Sequence, residues 1–541
     1  MAQKNGGEKL VDWGLVLLLG IGFVIQLYIL YFGYNYYHYI VPPGYDVIPH
    51  YITIEKILSS GSIANLSYPP LFHLIVIGLS KLSHQDVFHI LTYWTPVLVI
   101  LPSLALYFLL RQIFERRVSV ITTLIFLLTS GYPIFAFVDG NYPDILAYGV
   151  FGTLMFALLI RYFKTNRILN LIGVIILLIL IALTHHFTFF NVGIILLVYS
   201  LINLGLIIYH RQFRLKHLLI TFGILVAALI SYFIIQQFYG GIFDRFYQGL
   251  MTNEPAIKNA WLSKVVEYAD YPVVNGNIIW YGGLLGLFYM LVSSFAHHEE
   301  NKTKQLVIIW ILYFYLLSRF SSAAVPARFA RELAIPLGIS LAFLLNYVIN
   351  LNPLRQLNYK VLFGYFVIGF LIVTNSAFYS GIIRLPESFG NLIWFWPKDQ
   401  DKINYLAKTI DQKEAILYNP KANLYFPIKT QNSLVELELS GKEEDLAQEN
   451  LKKPSLTEKA QYKQMIESLK QKYANTAYIF IDVKPPSNPD EVLYFHYAGF
   501  SNYNKVLNDL ASSGQIITTF PDGAKLVKID FNAKPKTTKT N

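Results

Sequence analysis

The residues best suited to chemistry in this chain are three carboxylates. Asp46 follows the first long apolar segment, within the stretch PPGYDVIPH. Asp139 and Asp144 lie in the stretch FVDGNYPD, between the third and fourth apolar segments. A carboxylate at the edge of an apolar phase can act as a general base that takes the proton of a hydroxyl group. Ionisable residues at such depth are functional candidates by default.

Two adjacent histidines and a pair of arginines complete this set. His185 and His186 form a short turn in the stretch THHF, and Arg328 and Arg331 lie in PARFARE. The planar guanidinium fork suits phosphate oxygens, so we predict phosphate binding for both arginines. Imidazole groups and carboxylates can hydrogen-bond sugar hydroxyls, so we predict substrate binding for the two histidines and for His50.

Each of these residues also has a structural interpretation. Asp144 could be a first-turn acid that the helix dipole favours, and Asp139 a turn residue. Glu332 follows Arg328 by four positions, which predicts an i,i+4 salt bridge. The histidine pair could simply anchor its turn. The functional interpretation is favoured because three acids, two histidines and two arginines converge on one predicted membrane face, whereas the centres of the apolar segments carry almost no charge.

The composition indicates a membrane protein with a soluble extension. The chain has 541 residues, of which 54% are hydrophobic and 14% charged, with a mean hydropathy of +0.42. Soluble domains carry about 25% charged residues. Residues 1–382 are apolar with brief polar interruptions, and residues 383–541 resemble an ordinary soluble domain. We therefore predict two domains with that boundary.

Apolar runs near 20 residues predict about 11 membrane-spanning helices in the first domain. The predicted spans are 11–32, 87–110, 118–137, 143–162, 168–185, 188–209, 216–238, 276–296, 305–319, 329–350 and 359–382. The shorter run 68–82 contains His73 and Lys81, and we expect it to be a re-entrant or interfacial helix.

The distribution of basic residues predicts the orientation. With the N-terminus in the cytoplasm, the inner segments carry fifteen Lys and Arg residues, and the outer loops before residue 383, apart from the run 68–82, carry five. Basic residues stay on the cytoplasmic side, so we predict a cytoplasmic N-terminus and, after an odd number of spans, an extracytoplasmic C-terminal domain. The net charge of +10 reflects this bias and a basic tail, and does not indicate nucleic-acid binding. The chain has no cysteine, so disulfides are excluded.

The C-terminal domain is predicted to be α/β, because strand and helix patterns alternate. Within 394–410 we expect an entry segment followed by a helix with Asp399 as its N-cap. We also expect strands at 414–418, 433–439 and 477–483, and a hairpin of 515–520 with 524–530. None of the common catalytic motifs occurs in this domain. It is therefore interpreted as a lid, spacer or docking platform.

The chemistry that fits the whole set is transfer of a sugar from a polyprenyl-phosphate carrier to a hydroxyl. Asp46 would take the proton of the acceptor. The arginine pair would neutralise the departing lipid phosphate. The acids leave open a divalent cation, Mg²⁺ or Mn²⁺, held by Asp46 and Asp144. No other cofactor is indicated.

At this point the sequence resembles the GT-C superfamily of integral-membrane glycosyltransferases. The resemblance is carried by the Asp46 loop, by Ser67-Tyr68-Pro69-Pro70-Leu71 (SYPPL), by Asp144, and by the many-span body followed by an α/β domain joined through WPKD. It implies that Asp46 is the base or a metal ligand, that Asp139 and Asp144 are second-loop acids, and that Arg328 or Arg331 binds the lipid phosphate.

One departure narrows this expectation. Oligosaccharyltransferases of the superfamily carry a WWDYG motif, which is absent here. The sequence therefore favours transfer of one sugar from a lipid monophosphate to a glycan, lipid or protein acceptor. Two other hypotheses stay open: a transporter or flippase of lipid-linked saccharides, and a non-catalytic membrane assembly protein. A flippase would be expected to show repeated halves and midplane polar residues, and we find neither.

Overall fold

A computed structural model describes most of the chain between residues 17 and 531. The described residues are 17, 19–28, 31, 46–63, 66, 68–209, 223, 233, 265–296, 301–319, 326–350, 397–419, 433–440, 442–443, 446–447, 455–482 and 500–531. They fall into two compact units, one containing the described residues up to 350 and the other those from 397 onwards. The predicted boundary at 382/383 and the predicted spans 216–238 (apart from residues 223 and 233) and 359–382 lie outside the described residues.

The first unit is helical throughout its described part. Its helices are α1 (Leu19–Tyr28), α2 (Val47–Ser60), α3 (Leu71–Ser83), α4 (Val87–Tyr93), α5 (Thr95–Ile113), α6 (Arg116–Thr129), α7 (Tyr132–Val138), α8 (Tyr142–Thr165), α9 (Ile168–Thr184), α10 (His186–Tyr209), α11 (Tyr271–Asn275), α12 (Asn277–Ala296), α13 (Asn301–Arg319), α14 (Pro326–Glu332) and α15 (Ala334–Ile349).

Four stretches of the described chain are helical, long and apolar enough to cross a membrane. They are Thr95–Ile113, Tyr142–Thr165, His186–Gly205 and Pro326–Ile349. Several predicted spans are divided in the structure: 87–110 breaks at Trp94, and 118–137 breaks between α6 and α7. The run 68–82 forms the 13-residue helix α3, and its predicted interfacial position remains a prediction. The count of about 11 spans also remains a prediction.

Close helix packing in this unit depends on a small residue in α12. At Gly286, an added Cβ atom would lie 2.0 Å from the backbone oxygen of Ser340 in α15. The Ser340 hydroxyl donates a hydrogen bond of 2.7 Å to the backbone oxygen of Gly283. Small residues let two membrane helices approach backbone to backbone in this way. The result is a tight α12–α15 pair, and α15 continues directly from α14, which carries both candidate arginines.

The second unit is α/β, as its alternating patterns predict. Its elements are α16 (Pro397–Thr409), β1 (Ala415–Tyr418), β2 (Ser433–Glu436), α17 (Leu456–Lys472), β3 (Tyr478–Ile481), α18 (Phe500–Leu510), β4 (Gln515–Thr519) and β5 (Lys525–Lys528). The sheet order is β2-β1-β3-β5-β4, with β1 parallel to β2 and β3, and β5 antiparallel to β3 and β4.

The core of this unit lies between one sheet face and two helices. Leu417, Ile479 and Val527 from the strands are buried against Ile466 of α17 and Leu507 of α18. Leu417, Ile479 and Val527 lie side by side on neighbouring strands, so their side chains point to the same face of the sheet and into this core.

Local signals in the second unit were predictive with one exception. The predicted hairpin forms, and Gly523 in its turn has a φ of +92°. Ser455 and Glu458 form a capping box at the start of α17. The prediction of Asp399 as an N-cap is wrong, because the helix begins at Pro397 and Asp399 lies within its first turn. Proline at the first helical position supplies a preset φ and needs no backbone donor, so it starts the helix earlier.

Candidate functional site

The loop bearing Asp46 docks directly onto the loop bearing Asp139. The backbone N–H of Asp46 donates a hydrogen bond of 3.2 Å to the backbone oxygen of Asp139. The next residue, Gly140, has a φ of +78°, and an added Cβ atom there would lie 2.9 Å from the Val47 backbone nitrogen. Glycine is therefore needed at this point for both its conformation and its size. This contact brings the first and second acidic loops together.

Asp46 and Arg328 form an ion pair at the accessible edge of the cluster. Arg328 Nη2 lies 3.0 Å from Asp46 Oδ2, and their side chains keep 18% and 24% of their exposure. The predicted i,i+4 bridge between Arg328 and Glu332 is wrong. Within the described residues Arg328 pairs with Asp46, and neither carboxylate oxygen of Glu332 is in hydrogen-bonding geometry with a described donor. Tertiary contact with Asp46 outcompetes the local helical pair.

Arg331 joins the other two acids. Its Nη1 lies 3.4 Å from Asp139 Oδ2, and its Nη2 lies 3.4 Å from Asp144 Oδ2. Only 7% of the Arg331 side chain is exposed, and the Asp144 side chain is completely buried. A buried carboxylate needs a paired charge and hydrogen bonds, and Arg331 supplies the charge. Arg331 therefore holds the two acids in position.

The histidine turn provides the remaining contacts of Asp144. The Thr188 hydroxyl donates a hydrogen bond of 2.9 Å to Asp144 Oδ1, and it lies 2.7 Å from His185 Nδ1. His185 Nδ1 itself is 3.7 Å from the same carboxylate oxygen. His185 sits in extended conformation between α9 and α10, which gives the predicted short turn. The Asp144 carboxylate is thus held from two sides, by Arg331 and by this turn.

Tyr68 lies at the centre of the histidines. Its ring centroid is 4.9 Å from that of His50, 5.9 Å from that of His185 and 5.7 Å from that of His186. His73, which the sequence marked only as a polar break in an apolar run, is 5.8 Å away. Sequence reasoning missed Tyr68, His73 and Thr188 as site residues. Two of them carried a signal in the sequence: Tyr68 lies in the SYPP stretch, and His73 is a polar residue in the apolar run that forms α3.

A second layer of buried aromatic side chains holds the backbone behind the acids. The Tyr132 hydroxyl donates to the backbone oxygen of Asp144 at 3.3 Å, and that of Tyr148 donates to the backbone oxygen of Glu332 at 2.6 Å. Trp310 Nε1 donates to the Tyr148 hydroxyl at 3.1 Å. These bonds connect α7, α8, α13 and α14. They fix the positions from which the acids and arginines extend.

Asp46 combines partial exposure with a raised pKa. Its largely buried position raises the pKa of the carboxyl to about 6, against the opposing charge of Arg328 and with a further contribution from Asp139. A base is most effective when its pKa lies near the working pH. Because Asp46 also keeps some exposure, it can meet a hydroxyl, whereas Asp144 is enclosed.

The acids of the candidate cation site are paired with arginines in this structure. Each of the three acids is paired with a guanidinium group, and a second cation beside it would be repelled. Among the described side chains, no group of three or more His, Cys, Asp or Glu has the arrangement of a metal site. The predicted cation site at Asp46 and Asp144 remains a prediction. In this structure Asp46 pairs with Arg328, and Asp144 pairs with Arg331 and Thr188.

Solved structures with this arrangement of helices are membrane glycosyltransferases. The oligosaccharyltransferase of Archaeoglobus fulgidus superposes with a TM-score of 0.60 at 12% identity, over 96% of this chain and 74% of that one. ArnT from Cupriavidus metallidurans, bound to undecaprenyl phosphate, gives 0.57 at 14% identity, over 96% and 98%. The mycobacterial arabinofuranosyltransferase AftD gives 0.53 at 12% identity, over 97% and 42%.

The chain shares its fold with these three proteins, so the predicted resemblance to the GT-C superfamily is confirmed at the level of fold. The four described helices that are long and apolar enough to cross a membrane support the predicted integral membrane protein. Other structures of the A. fulgidus protein contain dolichol-phosphate with an inhibitory peptide, or zinc and sulfate. No family model and no curated protein matches the chain.

Proposed function

We propose that the protein is a membrane glycosyltransferase that moves a sugar from a polyprenyl-phosphate carrier to a hydroxyl of a glycan, lipid or protein acceptor. The observation that carries this proposal is the 3.0 Å pairing of Asp46 with Arg328 at the accessible edge of a GT-C fold. One partner can take a proton and the other can bind a phosphate, and both stand at the same point. The lipid phosphates bound by structural neighbours support the same substrate class.

The reaction follows from the positions of these two side chains. The acceptor oxygen attacks the anomeric carbon while its proton passes to an Asp46 carboxylate oxygen. The bond between the anomeric carbon and the phosphate oxygen breaks, and the polyprenyl phosphate leaves with one additional negative charge. Arg328 stabilises that charge, because a guanidinium group binds phosphate oxygens in a fork. Asp139 and Asp144 are held by Arg331 and shape the site around this pair.

The two arginines therefore take different parts in the proposed reaction. Arg328 keeps more exposure than Arg331, with 18% of its side chain accessible against 7%. A lipid phosphate can approach it beside Asp46. Arg331 already bridges two carboxylates, so we assign it to positioning rather than to phosphate binding.

The test is sugar transfer by the purified protein in nanodiscs. Radiolabelled polyprenyl-phosphate sugars and crude membrane acceptors are incubated with the wild type and with Asp46→Asn. We expect the variant to lose about 10²- to 10⁴-fold in rate, the usual contribution of a general base, while its melting temperature is retained. The matched control is Asp86→Asn, an N-cap acid of α4 that forms no described ion pair with an arginine.

Adding EDTA to the same assay tests whether transfer requires a divalent cation. We expect transfer to continue in EDTA, because each site acid is already paired with an arginine. Full activity of Asp46→Asn would refute the assignment of the base. Binding of the lipid donors without any covalent product, together with their movement across proteoliposome membranes, would favour a flippase instead.

A further inference from the structure

Two buried histidines form a directed hydrogen-bond chain beside Asp46. His50 Nδ1 lies 3.1 Å from His73 Nε2, and His73 Nδ1 lies 3.0 Å from the backbone oxygen of Pro69. His50 is on α2, one turn after Asp46, and His73 is on α3. Both side chains are buried. The pair therefore connects the helix that follows the candidate base to its neighbour.

The direction of this chain follows from its last acceptor. The Pro69 carbonyl can only accept, so His73 carries its proton on Nδ1 and its Nε2 is an acceptor. His50 must then donate from Nδ1, which leaves the lone pair on Nε2. Neither ring forms an ion pair with a described carboxylate, so both are neutral near pH 7. Burial also holds the pKa of His50 well below its usual range.

His50 Nε2 is buried among the aromatic and histidine side chains of the site. His50 is 1% exposed, and its Nε2 has no hydrogen-bond partner among the described residues. A buried polar atom without a partner costs free energy, which a ligand group can recover. The ring packs edge-on against Tyr68, the side chain that also contacts His185 and His186. The acceptor thus faces a polar, aromatic enclosure and not solvent.

We propose that His50 Nε2 accepts a hydrogen bond from a hydroxyl of the donor sugar, and that His73 is the positioning residue that keeps this lone pair available. This inference rests on the proposed function. An unprotonated nitrogen repels phosphate and carboxylate oxygens, so the ligand group here is a hydrogen-bond donor, and hydroxyls are the donors that a sugar carries. The donor sugar is indicated because His50 is buried, whereas Asp46 keeps 24% of its exposure and is the side chain that meets the acceptor hydroxyl in the proposed reaction.

A purely structural role of the two histidines predicts a different response to changes in the sugar. If the histidine pair only fastened α2 to α3, changes to the sugar hydroxyls would have the same effect with or without Nε2. His50→Asn separates the two roles, because the asparagine amide nitrogen replaces Nδ1 as the donor to His73 and nothing replaces Nε2. His73→Phe removes the acceptor that orients His50.

The experiment compares the polyprenyl-phosphate sugar used by the wild type with its monodeoxy and monodeoxyfluoro analogues. Fluorine cannot donate a hydrogen bond. For one hydroxyl, we expect both replacements to lower kcat/KM of the wild type by about three- to tenfold, the usual range for one neutral hydrogen bond. In His50→Asn the natural sugar, the deoxy analogue and the fluoro analogue at that position should become equivalent.

His73→Phe and His50→Gln extend the test. In His73→Phe the His50 imidazole can carry its proton on Nε2. This N–H can donate to fluorine, so kcat/KM for the fluoro analogue should rise relative to that for the deoxy analogue. His50→Gln places an amide oxygen near Nε2, and partial recovery of the preference for the hydroxyl is expected; this variant decides the matter if His50→Asn does not fold. His89→Phe is the matched control, since this half-buried ring contacts Tyr93 and lies outside the cluster.

The outcomes separate this inference from the proposed function. If the wild type transfers sugar but no hydroxyl position couples to His50, the hydroxyl assignment is overturned and the transferase stands. If the wild type transfers sugar from no polyprenyl-phosphate donor, both fail together. Coupling at one hydroxyl, lost in His50→Asn and altered in His73→Phe, supports both.

Discussion

Residues of the same type have different tasks in this site because their burial differs. Arg328 and Arg331 are three positions apart on one helix, yet the first meets a partly exposed acid and the second meets two acids, one of them completely buried. The free energy of a charge pair depends strongly on its contact with water. The partly exposed Arg328 and Asp46 can give up their contact and bind a substrate instead, whereas the buried pair of Arg331 and Asp144 stays in place.

This difference predicts opposite defects for two matched substitutions. Arg331→Gln would leave Asp144 buried without its charge partner, and breaking a buried pair costs about 3–5 kcal/mol of stability. Arg328→Gln removes a partner that keeps 18% of its exposure, so we expect a smaller loss of stability than in Arg331→Gln and a larger loss of donor affinity. Thermal unfolding in detergent and titration with a polyprenyl phosphate measure the two effects.

The two arginine variants serve as each other's control. Equal loss of melting temperature in both would contradict the assignment of different roles. So would normal polyprenyl-phosphate binding by Arg328→Gln combined with weakened binding by a folded Arg331→Gln.

The raised pKa of Asp46 predicts a specific pH profile. Burial raises it to about 6, and the ionised carboxylate is the form that accepts a proton. Activity is therefore lost as the pH falls through about 6, and kcat/KM should decrease about tenfold per unit below that value. The profile is measured between pH 5 and 8, and the residual rate of Asp46→Asn should lack this inflection. A wild-type rate that does not change over this window would exclude Asp46 as the base.

At the scale of elements, the site depends on the docking of two loops. Asp46 donates its backbone N–H to Asp139, and Gly140 lies against the first residue of α2 with a positive φ. A side chain at residue 140 would strain the backbone and push α2 away. The position of the candidate base is therefore set by a glycine in another loop.

Gly140→Ala tests this docking. The left-handed conformation costs a non-glycine residue about 1–2 kcal/mol, and the added methyl would contact Val47 as well. We expect a lower melting temperature and a loss of kcat larger than the change in KM, since the base is displaced. Gly193→Ala is the control, because a Cβ atom there meets nothing within 4 Å and α10 is helical at that point. A fully active Gly140→Ala would show that the loops need not dock this closely.

At the scale of the whole molecule, the distribution of basic residues predicts which side each segment faces. The loop between α8 and α9 should be cytoplasmic, and the second unit should be extracytoplasmic. The chain has no cysteine, so single cysteines can be introduced without a background signal. Thr165 and Lys413 are exposed positions in these two regions.

Labelling of intact cells with a membrane-impermeant maleimide measures the orientation. We expect Lys413→Cys to react in intact cells and Thr165→Cys to react only after the membrane is opened. The reverse pattern would invert the predicted topology, and it would place the proposed transfer on the cytoplasmic side. Reaction of both variants in intact cells would indicate damaged membranes, which a cytosolic marker protein reports independently.

Much of the fold was predictable because it depends on local signals. Apolar segments predicted the helical unit, and the PDG turn and the alternating strands predicted the α/β unit and its hairpin. Helix ends were less predictable. Trp94 divides one predicted span, and Pro397 begins a helix that was assigned to a cap at Asp399. Such boundaries depend on competing local preferences that differ by a small free energy.

The sequence by itself determined which chemical groups the site could contain. A charge at the edge of an apolar segment costs free energy, so Asp46, Asp144 and Arg328 could be identified from their positions in the sequence. Tertiary structure decided how they pair. Arg328 forms an ion pair with Asp46 and not with its helical neighbour Glu332, and Arg331 contacts both Asp139 and Asp144. Pairing depends on distance and burial between positions up to 282 residues apart, which no local pattern encodes. For the same reason, the role of His73 became visible only when α3 was packed beside α2.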